Sequence, residues 1–75
     1  MSFKESVEIK VYYHREGNTL TVWFGNPTEE YAAEETGEEI VLMKNRDGKV
    51  IGFEKLNFTA QSTDTVRVGF ETIAA

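Results

Sequence analysis

Lys44-Asn45-Arg46-Asp47-Gly48-Lys49-Val50-Ile51-Gly52-Phe53-Glu54 decides the fold, because an Asp-Gly pair between two apolar-bearing runs is the strongest short-range signal of a β-hairpin. With Asp47 and Gly48 as the two central residues of a type I′ turn, both at φ > 0, Arg46 faces Lys49, Asn45 faces Val50 and Lys44 faces Ile51. Further out, Met43 meets Gly52, Leu42 meets Phe53 and Val41 meets Glu54. Successive side chains of a strand alternate between faces, so Ile40, Leu42, Ile51 and Phe53 share one side, the expected core.

A second hairpin lies upstream. Val7 to His14 alternates apolar and polar, Arg15-Glu16-Gly17-Asn18 supplies a turn with Glu16-Gly17 as the simplest connection, and Leu20 to Phe24 alternates again. Tyr13 then faces Leu20, Val11 faces Val22 and Ile9 faces Phe24 on one side, while His14/Thr19, Tyr12/Thr21 and Lys10/Trp23 line the other. The tail alternates Val66, Val68 and Phe70 with Arg67, Gly69 and Glu71, which predicts a further strand over residues 65–73. The expected architecture is mainly β: one antiparallel sheet of four or five strands, near residues 7–14, 19–25, 39–46, 49–56 and 65–73, with at most one short helix.

An acidic connector, residues 26–38, joins the hairpins. A Thr28 cap, Glu29 and Glu30 in a first turn and Gly37 at the end predict a helix over residues 28–36. Six glutamates fall between positions 29 and 39, yet they lack the alternating oxygen ligands and central Gly of a calcium loop. A solvated acidic surface accounts for them better than a metal site.

The 75 residues give one domain, small enough to bury only about 60% of its unfolded surface, so it is marginal without added staples or association. With no cysteine, a disulfide or thiolate metal site is excluded and a cytoplasmic location is favoured. No basic-plus-apolar leader and no long apolar run occurs, which reads as no signal peptide and no membrane span. Asn57-Phe58-Thr59 matches a glycosylation sequon by chance in that setting. Eight basic residues against thirteen acidic ones leave a net charge of −5, with the basic residues dispersed, so no nucleic-acid or anionic-membrane partner is expected and a basic protein partner fits better.

Chemistry-bearing groups are few. His14 has an ordinary pKa near about 6.5, suited to acid-base work, but Ser2, Ser6 and Ser62 sit in termini or loops without a nucleophile elbow. Glu29/Glu30 and Glu34/Glu35 are sequence neighbours without an apolar pocket to raise either pKa, and no Gly-rich phosphate loop occurs. No catalytic, metal or cofactor site is therefore expected. The second sheet face is more informative: Tyr12, Trp23, Val41, Met43 and Val50 point away from the expected core side, and a lone sheet cannot bury both faces. Either they complete a two-sided core beneath the connector, or they form an interaction surface for a homodimer or another partner.

Val11 to Phe24 and Glu39 to Leu56, with Tyr13, Leu20, Val22, the Asp47-Gly48 turn and Val50-Ile51-Gly52-Phe53-Glu54, resemble the small prokaryotic domain of unknown function 2283 family over residues 11 to 56. The resemblance implies a compact antiparallel sheet with an extended connector in place of the predicted helix. Members often carry Asp where His14 stands, and their usual C-terminal helix would fall around Phe58 to Thr65. It implies no activity, while some members look like partners of small toxins. The function expected is a non-catalytic interaction module, self-associating or antitoxin-like toward a basic partner. The alternative is a small-ligand-binding domain or minor enzyme with a shallow pocket near His14, Tyr12 and Trp23.

Overall fold

The structure, a computed structural model, describes residues 8–61 and 65–74. The upstream hairpin is β1 (Lys10–His14) and β2 (Thr19–Trp23), and its register matches expectation: Lys10/Trp23, Val11/Val22, Tyr12/Thr21, Tyr13/Leu20 and His14/Thr19. Arg15 to Asn18 form the turn, closed by the Asn18 N–H on the Arg15 carbonyl at 3.2 Å. Asn18 takes the left-handed conformation there (φ 52°), which a short polar side chain tolerates better than other non-glycine residues.

The chain then enters a single 3-10 turn, Pro27–Glu29, capped by the Asn26 side chain, which accepts from the Thr28 N–H at 3.0 Å. The helix predicted over residues 28–36 does not form. Ala32–Glu35 is instead β3, paired with β4 (Ile40–Lys44), which pairs in turn with β5 (Val50–Lys55). Local propensity loses to the open edge of β4: the Tyr31 N–H donates to the Lys44 carbonyl at 2.8 Å and the Thr36 N–H to the Ile40 carbonyl at 3.0 Å. The extended connector implied by the family resemblance is what the chain adopts.

Sheet order is β1-β2-β5-β4-β3, antiparallel throughout, with β2 joining the two hairpins through Leu20/Lys55, Thr21/Glu54, Val22/Phe53 and Trp23/Gly52. This is the mainly β, five-stranded sheet expected, but its fifth strand is β3. Residues 65–74 belong to no strand, which corrects the expected one at 65–73. No α-helix occurs among the described residues, Phe58–Gln61 and Thr65 included; residues 62–64 lie outside them. The strands are also shorter than expected at several ends, Ile9, Phe24 and Leu56 lying outside them.

The downstream turn departs from type I′. Gly48 has φ 82° but Asp47 is not at positive φ, and the Gly48 N–H closes on the Asn45 carbonyl at 3.0 Å. Asn45 explains the choice, because its side-chain oxygen accepts from both the Asp47 and Lys49 N–H groups at 3.0 Å. The Asn45 N–H donates to the Lys49 carbonyl at 2.9 Å and Lys44 pairs with Val50, so the inner pairs slip by one residue. The outer pairs stand as expected, Met43/Gly52, Leu42/Phe53 and Val41/Glu54, and the mismatch leaves Ile51 as an extra residue in a β-bulge.

That bulge relocates the core. Met43 is 1% exposed and Ile51 5%, while Ile40, Leu42 and Phe53, expected to be buried with Ile51, are only half-buried. Gly25 and Gly52 allow the close packing around it. A Cβ on Gly25 would lie 2.7 Å from the Ile51 Cβ, and one on Gly52 would lie 2.7 Å from the Trp23 ring, so the indole occupies the space above Gly52.

Candidate functional site

Cross-strand pairing puts Lys10, Trp23, Gly52, Met43 and Ala33 in one row across the sheet, and Tyr12, Thr21, Glu54, Val41 and Glu35 in the next row of the same face. Four of the five residues picked out for an interaction surface, Tyr12, Trp23, Val41 and Met43, therefore share a face. Val50 does not join them by register, because the bulge pairs it with Lys44, whose side chain alternates away from Met43. Tyr12 is exposed, Trp23 and Val41 are half-buried, and Met43 belongs to the core.

The β3 side of the sheet has a different character. All four residues of β3 are exposed, and the strand is the outermost on that side. Lys44 bonds Glu34, and Lys55 bonds Glu39 at 3.3 Å, which leaves Glu29, Glu30, Glu35 and Glu38 without an ion pair among the described residues. Glu39 stands at φ 63° and its carboxylate is held below the usual range, first by the Asn57 side-chain amide at 2.9 Å, then by the hydrogen bond and charge of Lys55. It thereby ties the entrance of β4 to the exit of β5, a link reinforced by the Leu56 N–H on the Glu39 carbonyl at 2.7 Å.

The phase of the β3–β4 ladder follows from the Thr36 N–H to Ile40 carbonyl bond. Antiparallel pairs alternate between hydrogen-bonded and non-hydrogen-bonded, so Glu34 and Ala32 turn their backbone groups toward β4, and Ala33 and Glu35 turn theirs outward. Nothing in the alternation of Ala32-Ala33-Glu34-Glu35 announces this edge. The unbroken apolar run Ile40-Val41-Leu42-Met43 signals a strand covered on both faces and does not say which strand pairs beside it, so the sequence carried no signal for this edge.

A hollow of about 280 Å³ opens between the connector and the downstream turn, lined by Thr28, Glu30, Tyr31, Asn45, Arg46 and Asp47. The Arg46 guanidinium lies over the Tyr31 ring, 4.6 Å from its centre, and holds the approach to β3 against the turn. His14 lies at the opposite end of the strands, beside Thr19, and is exposed. Among the described residues no three His, Asp or Glu side chains are grouped to hold a metal ion, and no helix is long and apolar enough to cross a membrane.

A polar cluster around Asn18, unforeseen in the sequence, anchors the segment after β5. The Asn18 Nδ2 donates to the Thr59 carbonyl at 2.8 Å, while its Oδ1 accepts from the Thr59 N–H at 3.2 Å and from the Tyr13 hydroxyl at 2.9 Å. The Phe58 N–H donates to the Asn18 carbonyl at 3.0 Å, and the Phe58 ring meets Tyr13 edge-on with centroids 6.0 Å apart. Comparison with curated proteins and with solved structures gives no match. The sequence model of the family described as "Protein of unknown function (DUF2283)" matches residues 10–58, which take in all five strands and the Phe58 anchor, and the chain belongs to that family.

Proposed function

We propose that the protein is a non-catalytic protein-interaction module whose β3 edge accepts an extended basic segment of a partner. The observation that carries this reading is a fully exposed edge strand bordered by Glu29, Glu30, Glu35 and Glu38, none of them in an ion pair among the described residues. An incoming strand would hydrogen-bond to the outward backbone groups of Ala33 and Glu35, and the two alanines leave room for its side chains. Lys or Arg on that strand would meet Glu29, Glu30, Glu35 and Glu38, which steers encounter and selects against acidic partners. A small basic protein held as an antitoxin holds its toxin is a partner of this description.

Tagging the protein in its own cell and identifying what comes down in stoichiometric amount at low salt tests the reading. A basic partner is expected, released as salt rises, because charge pairs at an exposed rim are screened over about 8–10 Å at physiological ionic strength. Ala33→Pro removes an outward N–H from the edge without touching the ladder to β4, so it should abolish capture while the sheet persists. Capture that survives both Ala33→Pro and a Glu30→Lys/Glu35→Lys double substitution would overturn the proposal.

A further inference from the structure

The opposite edge of the sheet and the C-terminal segment are left unused by that reading, and they match each other. Val68, Phe70 and Ile73 are 66%, 78% and 85% exposed, the three most exposed large apolar residues among those described, while Val66 is half-buried. Removing three large apolar side chains this exposed from water would favour association. The stretch carries the period-two pattern of a strand, with Arg67, Gly69 and Glu71 between its apolar residues, yet it joins no strand among the described residues.

β1 is the outermost strand on its side, and it offers the complementary surface. Ile9 and Val11 are 48% and 37% exposed, and with Tyr13 they form an alternating apolar row along that edge. β3 has only alanine and glutamate to present, so an apolar strand finds no counterpart there.

We propose that residues 66–70 of one copy add as an antiparallel strand to the β1 edge of a second copy, and that the exchange is reciprocal, giving a twofold dimer. Both halves of the contact belong to this chain, and a twofold arrangement satisfies both at once, whereas a foreign partner would cover only one. The apolar pattern sets the register: Val66 opposite Tyr13, Val68 opposite Val11 and Phe70 opposite Ile9, with Arg67 beside Tyr12. A slip of one residue would turn Arg67 and Glu71 onto the apolar side. In this register Glu71 faces Glu8, a like-charged pair that weakens the contact. The site is the edge remote from β3, so the dimer stands or falls separately from the basic-partner reading.

The test is molar mass against concentration for the full chain, by sedimentation or by light scattering on a sizing column. A concentration-dependent dimer is expected. Val68→Asp and Val11→Asp should each weaken it by about tenfold or more, since a charge on a pairing edge opposes strand addition, with the circular dichroism of the sheet unchanged. An equimolar mixture of the two variants should regain part of the association, because one sound tail and one sound edge remain to meet. Glu71→Lys should strengthen the dimer by pairing with Glu8. A chain that stays monomeric, a dimer indifferent to both aspartates, or a monomer whose residues 66–70 are protected from amide exchange by docking on its own sheet would each overturn the proposal.

Discussion

Asn18 performs two separable tasks, holding a left-handed backbone and gripping Thr59 through both ends of its amide. Asn18→Gly keeps the conformation and removes the side-chain bonds, so we expect a loss of about 1–3 kcal/mol. Asn18→Ala leaves a Cβ in the left-handed region without the polar side chain that lets asparagine tolerate it, and should lose about 1 kcal/mol more than the glycine variant. Urea unfolding of the two variants separates the effects, and equal losses would show that the backbone contributes nothing. Glu39 adds a pH dependence with a definite sign. Its folded-state pKa lies below the ordinary value of 4.5, so its contribution is complete above that value and is lost as pH falls through the lower, folded one. Glu39→Gln should flatten the fall of unfolding midpoint below about pH 4.5 while leaving the rest of the curve parallel, and an unchanged acid limb would refute the link.

At the level of the elements, turn chemistry decides more than pattern. Gly48 alone carries positive φ in the downstream turn, so Gly48→Ala should cost about 1 kcal/mol, whereas Asp47→Gly should bring no gain, as it would in a type I′ turn. Urea midpoints of the pair distinguish the two turn types. The β1–β2 register and the outer pairs of β4–β5 were legible because alternation and a turn signal agree there. Asn45 upset the inner pairs: its side chain competes for the Asp47 and Lys49 N–H groups and favours a turn with Gly48 as the left-handed residue. One shifted pair expelled Ile51 into a bulge and, with it, moved the core toward Met43. β3 was hidden because alanine and glutamate are helix formers, and only the unpaired side of β4 makes them a strand. The candidate face was readable for Tyr12, Trp23, Val41 and Met43, which depend on alternation alone. The acidic edge was not, since it depends on which strand lies outermost.

Across the whole molecule, the two hairpins join where β2 lies against β5, and sequence-distant residues such as Leu20 and Lys55 must find each other before the sheet is continuous. The segment after β5 locks this join from the side: Phe58 packs on Tyr13, and Thr59 is held by Asn18 in the β1–β2 turn. Stability should therefore depend on where the C-terminal segment is cut. Ending the chain after Gln61 removes no strand among the described residues and keeps the Phe58–Thr59 anchor, so the melting temperature in dilute solution, where the monomer dominates, should move by no more than about 2 °C. Ending it after Lys55 strips the aromatic contact, the Asn18 bonds and the Asn57 bond to Glu39, and should cost about 2–4 kcal/mol, about 10–25 °C for a domain this small. Comparable melting of the two truncated chains would mean that the sheet alone carries the stability and that the anchor around Asn18 is incidental to it.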